Sequence, residues 1–214
     1  MIIGLTNQKG GAGKTTISGH LAYWLSQRGS VIVVDADAQQ SSTNWMKDLE
    51  LPCKTMIDPD DLFDELPFLA QQYNAVVVDG PGSLSETTKA ILARCDLALI
   101  PCKPAGLDMH STSKMLRILR QAREMRGGMP YVGLFLNQAK KGTVLLKDAQ
   151  RALSEKNTGF PLLKTMIFDL QVIADAPGQG TTVWGLNGAT AKRASKDFET
   201  LFTEALGVMT NGKG

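Results

Sequence analysis

The sequence predicts an α/β protein with a doubly wound, mainly parallel sheet and helices on both faces. Two observations lead to this prediction. Short β-rich segments alternate with helical patterns along the chain, as in folds built from repeated β-α-β units. Most of these apolar segments are continuous, which is typical of strands covered on both faces. The predicted strands are Ile2–Thr6, Val31–Asp35, Ala75–Asp79, Leu97–Pro101, Tyr131–Asn137 and Leu162–Ile167.

The helices follow from apolar spacing and from residues that start or end a helix. Thr15–Gln27 carries apolar side chains on one face, and Gly29 is expected to cap its end. Asp58 followed by proline predicts a helix start, because aspartate accepts hydrogen bonds from free N–H groups. A final amphipathic helix is predicted over Ala189–Leu206. The glycine-rich stretch before it, residues 178–188, is expected to be a mobile loop.

Length and composition indicate one compact domain over residues 1–214. The chain is 43% hydrophobic and 21% charged with a net charge of +2, which excludes disorder as its main state. Its three cysteines form no CxxC or CxxxC pattern, so neither a disulfide framework nor a zinc site is indicated. With no signal-like start and no long apolar segment, we expect a cytoplasmic protein that does not enter a membrane.

Charge is distributed unevenly along the chain. Residues 1–102 carry 7 basic and 12 acidic side chains, whereas residues 103–151 carry 10 basic and 3 acidic ones. One basic segment has apolar side chains that predict a helix with one buried face. Within it a basic residue occurs at every third position: Lys114, Arg117, Arg120, Arg123 and Arg126. This spacing wraps around a helix and does not form one stripe. A solvated helix, contact with DNA phosphates and an interface for an acidic partner are all compatible with it.

The most informative segment lies between the first predicted strand and the first predicted helix. It reads Gln8-Lys9-Gly10-Gly11-Ala12-Gly13-Lys14-Thr15-Thr16. Glycines allow successive backbone N–H groups to converge on phosphate oxygens at a helix N-terminus. In such loops the lysine before the threonines reaches the β- and γ-phosphates, and the first threonine binds Mg²⁺. We therefore expect residues 9–16 to bind a nucleotide, although Gln8 replaces the first glycine of the strict pattern.

Two further strands end in carboxylates. The second strand ends in Asp35-Ala36-Asp37, and the next buried strand ends in Asp79, followed by Gly80-Pro81-Gly82. A carboxylate at such a strand end can orient an attacking water or hold the shell of a magnesium ion. We expect Asp37 and Asp79, with Thr15, to form the metal site. Asp35 is expected to be structural.

The Lys-Gly-Gly-x-Gly-Lys-Thr-Thr segment resembles the deviant Walker A box of the ParA/MinD family of P-loop ATPases. The resemblance implies the P-loop NTPase fold, ATP and Mg²⁺ as cofactors, and a dimer that sandwiches two ATP molecules. It also implies that Lys9 crosses to the nucleotide of the partner subunit. The Asp-x-Asp-x-Gln segment is similar to that of the family, in which the second aspartate supports hydrolysis. Lys9, Lys14 and Asp37 are therefore the predicted catalytic residues.

Segments outside the motifs resemble the small ParA proteins of plasmid partition. They are Ser41–Trp45, Asp79–Ser85 and Ile100–Asp108, the last with two prolines as in that group. The resemblance implies a nucleoid-associated homodimer that binds DNA non-specifically with ATP. A centromere-binding protein or other adaptor would stimulate its hydrolysis. The cargo would be a plasmid or chromosome. A protein body such as a carboxysome or a chemotaxis cluster is the second candidate cargo.

Asn137, at the end of a predicted strand, has two interpretations. It could donate a hydrogen bond to adenine, as an asparagine does in some relatives, or it could belong to an ordinary turn after the strand. We assign it to the predicted nucleotide site with both interpretations open.

Other functions on the same fold are less compatible with the sequence. A membrane-associated division-site ATPase needs a basic amphipathic C-terminal helix, whereas residues 201–214 contain one lysine, Lys213, and end in small polar residues. An iron–sulfur reductase needs cysteines able to bridge two subunits, and Cys95 and Cys102 do not indicate this. A metabolic ATP-dependent ligase or synthetase is the main alternative of another class, but no substrate domain is evident and Lys9 argues against it.

Overall fold

The computed structural model describes residues 1–105, 107 and 109–211. Gly106 and Asp108 of the predicted proline-containing loop, and Lys213 of the C-terminal segment, lie outside this part of the chain. Among the residues described, no helix is long and apolar enough to cross a membrane.

Within these residues, six parallel strands form one sheet in the order β3-β2-β4-β1-β5-β6. The strands are β1 (Ile2–Leu5), β2 (Val31–Asp35), β3 (Cys53–Thr55), β4 (Ala75–Asp79), β5 (Leu97–Cys102) and β6 (Tyr131–Leu136). The three strands that precede the predicted motifs, β2, β4 and β1, are neighbours. Asp79 is paired in register with Asp35 on one side and with Leu5 on the other. The motifs therefore meet at one edge of the sheet.

Helices cover both faces of the sheet, which confirms the doubly wound α/β prediction. They are α1 (Lys14–Ser26), α2 (Ser41–Asp48), α3 (Pro59–Gln72), α4 (Glu86–Arg94), α5 (Met109–Met125), α6 (Val144–Ala152), α7 (Glu155–Thr158), α8 (Gln171–Gly178) and α9 (Ala189–Asn211). One core packs α3, α4, α5 and α6 against the sheet. The other core packs α1, α2, α8 and α9 against the opposite face. Continuous apolar strands are needed because both faces are buried.

Helix starts agree closely with the sequence. Asp58 caps α3, and its carboxylate accepts hydrogen bonds from the backbone N–H groups of Asp60 at 2.9 Å and Asp61 at 3.3 Å. The apolar stripe of α5 is buried, with Leu119 fully covered. The cap predicted for α1 is wrong. That helix ends at Ser26, and Gly29 lies outside the left-handed region and packs against Asn74.

The strand predicted at Leu162–Ile167 is absent as a continuous strand within the described residues. Isolated bridges join Leu162 to Leu134 of β6 and Phe168 to Ala139 after β6, and the N–H groups of Leu163 and Ile167 donate to Leu134 O and Leu136 O. Between them, the N–H groups of Lys164 and Thr165 donate to the carboxylate of Glu204 on α9, at 2.6 and 2.9 Å. These donors are therefore satisfied away from the sheet, which interrupts the ladder.

Two other departures involve short segments. β3 was not predicted, because three residues at the sheet edge, two of them exposed, carry no buried apolar pattern. The stretch 178–188, expected as a mobile loop, contains a 3-10 helix at Val183–Gly185 with Val183 buried. In the same stretch, the backbone oxygen of Thr181 accepts a hydrogen bond from the indole N–H of Trp45 at 2.9 Å. Packing against α1 and α2 thus orders a segment that glycine content alone suggested was loose.

Candidate nucleotide site

The glycine-rich loop joins the end of β1 to the start of α1. Gly11 and Gly13 have positive φ angles of 72° and 84°, a conformation that side chains rarely adopt. At Gly13 a Cβ atom would also overlap the side-chain amide of Asn137. Within the described part of the chain, no side chain caps the first turn of α1, so its N–H groups remain available to an anion. The loop therefore has the backbone of a phosphate site.

Two asparagines support this loop. The amide of Asn137, which is 3% exposed, donates to the backbone oxygen of Ala12 at 2.8 Å. Asn7 donates to Pro101 O at 2.5 Å and accepts a bond from the backbone N–H of Lys9 at 3.3 Å. The structure thus places Asn137 against the loop backbone. The sequence reading missed Asn7, for which the available signal was a polar residue shortly after an apolar strand.

Lys14, the first residue of α1, is buried and 7% exposed. Burial lowers the pKa of Lys14, and the negative charges of Asp79 and Asp37 oppose this effect. The Nζ atom lies 3.7 Å from the position that a Cβ atom would take at Gly82. A buried cation needs negative partners. Here the negative partners are the carboxylates of Asp79 and Asp37, and a phosphate would provide further negative charge.

The segment after β4 closes against the loop. A Cβ atom at Gly80 would lie 2.7 Å from Leu5 O, and one at Gly82 would lie 3.2 Å from the Cα atom of Gly10. Larger residues would push these two segments apart. The backbone after Asp79 therefore lies beside the phosphate loop, where it could respond to a γ-phosphate.

Asp79 is fully buried at the end of β4. The Thr15 hydroxyl donates to its Oδ2 atom at 2.7 Å, and the Ser42 hydroxyl donates to the same atom at 2.5 Å. The other oxygen, Oδ1, is buried and has no hydrogen-bond partner among the residues that the structure describes. Burial raises the pKa of Asp79 to about 6, although the two hydroxyl donors act to lower it.

The two aspartates after β2 differ in their surroundings. Asp35 is buried, and its Oδ2 atom accepts bonds from the backbone N–H groups of Ser42 and Thr43, each at 3.0 Å. Its carboxylate therefore fixes the start of α2. Asp37 is half-buried and bonds within its own turn, where Oδ1 accepts from Gln39 N at 3.0 Å. Asp37 thus remains near the charge of Lys14 without being enclosed.

These residues fit a magnesium–nucleotide complex. Thr15 and Asp79 already lie within hydrogen-bond distance, and Asp79 has a buried oxygen without a partner, a form of donor set that hard divalent cations prefer. The glycine loop leaves its N–H groups for phosphate oxygens. Thr16, the other threonine of the motif, belongs to α1 and its backbone oxygen lies 2.7 Å from Nδ1 of His20.

Lys9 is exposed at the start of the loop. A cavity of about 250 Å³ lies beside it, between the loop and α5. The cavity walls are mainly apolar, with Cys102 and Met115 among them, and Lys103 stands at its edge. Lys9 is thus exposed beside this cavity, whereas Lys14 is buried near Asp79 and Asp37.

Comparisons with known proteins agree with this geometry. The profile of the family described as "CobQ/CobB/MinD/ParA nucleotide binding domain" matches residues 3–183. The chain is 29% identical to a maintenance of carboxysome distribution protein A from Halothiobacillus neapolitanus, over 95% of each chain. It is 25% identical to the chromosome-partitioning ATPase Soj of Thermus thermophilus, over 85% of this chain and 86% of the relative.

A solved structure shows the same fold. The ATP complex of a Cyanothece McdA variant superposes with a TM-score of 0.79 and 20% identity, over 96% of each chain. The family profile covers most of this chain, including the loop, both aspartate segments and Asn137. The chain therefore belongs to the CobQ/CobB/MinD/ParA family of nucleotide-binding domains, as a ParA/MinD-type ATPase.

Proposed function

We propose that this protein is a positioning ATPase that binds ATP with Mg²⁺, dimerises in that state and hydrolyses ATP to release its dimer. The main observation behind the proposal is the proximity of Lys14 and Thr15, at the start of α1, to Asp79 at the end of β4. Thr15 Oγ1 and Asp79 Oδ2 lie 2.7 Å apart, and Asp79 contributes to the charge around the buried Lys14. Residues 1–214 would act as one ATPase domain.

Each residue has a distinct part in this proposal. The N–H groups of residues 10–16 and the Lys14 ammonium bind the phosphates, because both present positive charge at the start of α1. The Thr15 hydroxyl and the Asp79 carboxylate hold the cation, Asp79 through water. When bound, Mg²⁺ neutralises charge on the phosphate oxygens. Asp37 orients the attacking water and contributes to the charge around the metal.

Dimerisation depends on Lys9. Lys9 is exposed at the start of the loop, on a surface that a second subunit could contact. In the dimer we expect Lys9 to neutralise phosphate charge on the partner's nucleotide, while Lys14 acts within its own subunit. ATP then links two subunits, and hydrolysis removes the link.

The dimer is proposed to bind DNA non-specifically through lysine and arginine side chains. Not all of the cations in α5 and directly after it are suited to this role. Arg120 donates to Thr158 O at 2.8 Å, Arg123 donates to Gly128 O at 2.8 Å, and Arg126 donates to two backbone oxygens. Their main contribution is therefore to structure. Lys114 and Arg117 on α5, with Lys192 and Lys196 on α9, are exposed and are the better candidates.

The cargo has two candidates. Segregation of a plasmid or chromosome is the first, in line with the similarity to Soj and with the partition-type segments of the sequence. Positioning of a protein body is the second, and the similarity over nearly the whole chain to a carboxysome distribution protein favours it. Both candidates use the same ATP-driven cycle, with an adaptor on the cargo that stimulates hydrolysis.

The proposal is tested by binding to a random-sequence DNA duplex with ATP, with ADP and without nucleotide, over a series of salt concentrations. We expect binding only with ATP, and we expect it to weaken steeply with salt because phosphate contacts release counterions. The Lys114→Ala and Arg117→Ala variants should each reduce the salt dependence, and Arg126→Ala should not. Equal binding in all nucleotide states, or none in any state, would argue against the proposed cycle.

A further inference from the structure

Ser42 occupies the buried space between the ends of β2 and β4. It belongs to the first turn of α2 and is fully covered. Its backbone N–H donates to Asp35 Oδ2 at 3.0 Å, and its hydroxyl donates to Asp79 Oδ2 at 2.5 Å. Asp35 and Asp79 are themselves paired in register on neighbouring strands. One serine therefore joins the two strand-end carboxylates.

The hydroxyl of Ser42 shares its acceptor with Thr15. Both side chains donate to the Oδ2 atom of Asp79, one from α1 and one from α2. In the proposed function, Thr15 is the group that turns towards the cation. A buried carboxylate oxygen that lost its last donor would be costly, since unpaired buried charges are strongly unfavourable. Ser42 retains one donor on that oxygen.

Ser42 is held rigidly enough to do this. Trp45 and Met46, in the same helix, are buried against the sheet. The Trp45 indole packs on Gly19 of α1 and donates to Thr181 O at 2.9 Å. The first turn of α2 is also tied to Asp35 through Thr43. The hydroxyl is therefore fixed by both the helix core and a carboxylate.

We propose that Ser42 is a positioning residue, whose hydroxyl keeps the Asp79 carboxylate oriented while Thr15 leaves it to bind the cation. The inference rests on the proposed function, because only magnesium-dependent nucleotide binding draws Thr15 away from Asp79. Ser42 itself touches neither the nucleotide nor the cation in this arrangement. Its effect should therefore appear in magnesium dependence and not in nucleotide binding as such.

The test compares the affinity for ADP with Mg²⁺ and with EDTA, measured by calorimetry on the full chain. In the native protein Mg²⁺ is expected to strengthen ADP binding. Ser42→Ala should reduce this strengthening about tenfold, the usual size of effect for a group that supports a metal ligand. Affinity in EDTA should be unchanged. Ser42→Thr, which keeps the hydroxyl, should restore most of the magnesium effect.

Two further variants serve as a control and as a substitute for Ser42→Ala. Ser41→Ala changes the exposed neighbouring serine at the start of α2 and should behave as the native protein. Ser42→Cys fills nearly the same space with a weak donor, and it carries the same test if Ser42→Ala is unstable.

The alternative results are distinct. An unchanged magnesium effect in Ser42→Ala and Ser42→Cys would overturn the inference. Equal weakening with Mg²⁺ and with EDTA would also overturn it, because Ser42 would then only support the fold of the loop. If the native chain binds ADP in neither condition, the proposed function itself fails.

Discussion

The carboxyl ends of β1, β2 and β4 differ from those of β5 and β6, although all five strands belong to one parallel sheet. The first group presents charged and hydroxyl side chains that contact one another, as Thr15 and Ser42 contact Asp79. The second group presents amide and backbone groups, such as Asn137 Nδ2 and Pro101 O, that support the loop from outside. The β1, β2 and β4 side of the site therefore provides charged groups, and the β5 and β6 side holds the loop backbone in place.

This difference indicates which residues should contribute most to the free energy of nucleotide binding. Charged groups in a site with little water interact strongly with phosphate, whereas neutral hydrogen bonds contribute about 1 kcal/mol each. Changes to the charged residues Lys14 and Asp37 on the β1, β2 and β4 side should therefore strongly reduce binding or turnover. Changes on the β5 and β6 side should only weaken them.

The largest effect is expected from Lys14→Ala. Removal of a buried cation proposed to bind phosphate should cost about 2–5 kcal/mol, which corresponds to a loss of ATP affinity of about 30-fold to several-thousand-fold. ATP affinity is measured by isothermal titration calorimetry. Lys89→Ala, at an exposed pair with Glu86, is the control and should bind as the native chain does. Unchanged affinity in Lys14→Ala would refute the assignment of the loop.

Asp37→Ala should slow hydrolysis by about 100-fold or more, the usual contribution of a group that positions or activates the reacting water. ATP binding should remain, because Asp37 is half-buried and its hydrogen bonds to described residues lie within its own turn. Steady-state turnover and ATP affinity measure the two effects separately.

Asp35→Ala is the matched variant for Asp37→Ala. Because the Asp35 carboxylate accepts bonds from Ser42 and Thr43 in a buried position, its loss should lower the free energy of unfolding by about 3 kcal/mol. If Asp35→Ala proved stable while Asp37→Ala unfolded, the structural and functional roles of the two aspartates would have to be exchanged.

His20 lies in α1 and belongs to neither group of strand ends, so its effect on stability can be tested separately from nucleotide binding. It is fully buried in α1, its Nδ1 atom lies 2.7 Å from Thr16 O, and its Nε2 atom accepts from Val183 N at 3.2 Å. Burial lowers the pKa of His20 to about 4 from 6.5. The unfolded chain therefore takes up a proton below pH 6.5 while the folded chain does not. Stability should fall as the pH decreases from 6.5 towards 4.

Between pH 7 and pH 5, this histidine should account for a loss of about 2 kcal/mol. Urea unfolding at the two pH values measures it. Asp79 should increase stability as the pH decreases, opposite to His20, because its pKa is raised in the folded state. The native chain must therefore be compared with His20→Gln, which should lose this pH dependence, and with His110→Gln, which should keep it. Equal pH dependence in His20→Gln and the native chain would contradict the assignment.

The smallest effect is expected from Asn137→Ala, on the β6 side. It removes one neutral hydrogen bond to Ala12 O and leaves the charges of the site intact. A cost of about 1 kcal/mol corresponds to a roughly fivefold loss of ATP affinity. A loss as large as that of Lys14→Ala would mean that Asn137 contacts the nucleotide directly, as in its adenine-binding interpretation.

The sequence was most informative where the chemistry is local in the chain. The loop from Gly10 to Lys14, and the carboxylate that ends β4, follow directly from short motifs beside apolar strands. Ser42 was not identified, because its importance depends on Asp79, which is 37 residues away in sequence. Asn7 was missed for the same reason, since its partner Pro101 is 94 residues away.

The errors in the fold also have long-range causes. The predicted strand at Leu162–Ile167 has suitable apolar residues, but Glu204 on α9 binds two of its N–H groups. Apolar content cannot reveal such a competing acceptor. β3 is too short for a pattern to indicate it, and residues 178–188 are ordered by Trp45 and His20, which lie far away in sequence.

Sedimentation velocity of the native chain and of Asp37→Ala, with ATP, with ADP and without nucleotide, tests the central claim most directly. We predict monomers without nucleotide and with ADP in both proteins. With ATP we predict a dimer that decays in the native chain as ATP is consumed and persists in Asp37→Ala. Monomers of Asp37→Ala at saturating ATP would contradict the account, because the charged side of the site would then bind nucleotide without joining two subunits.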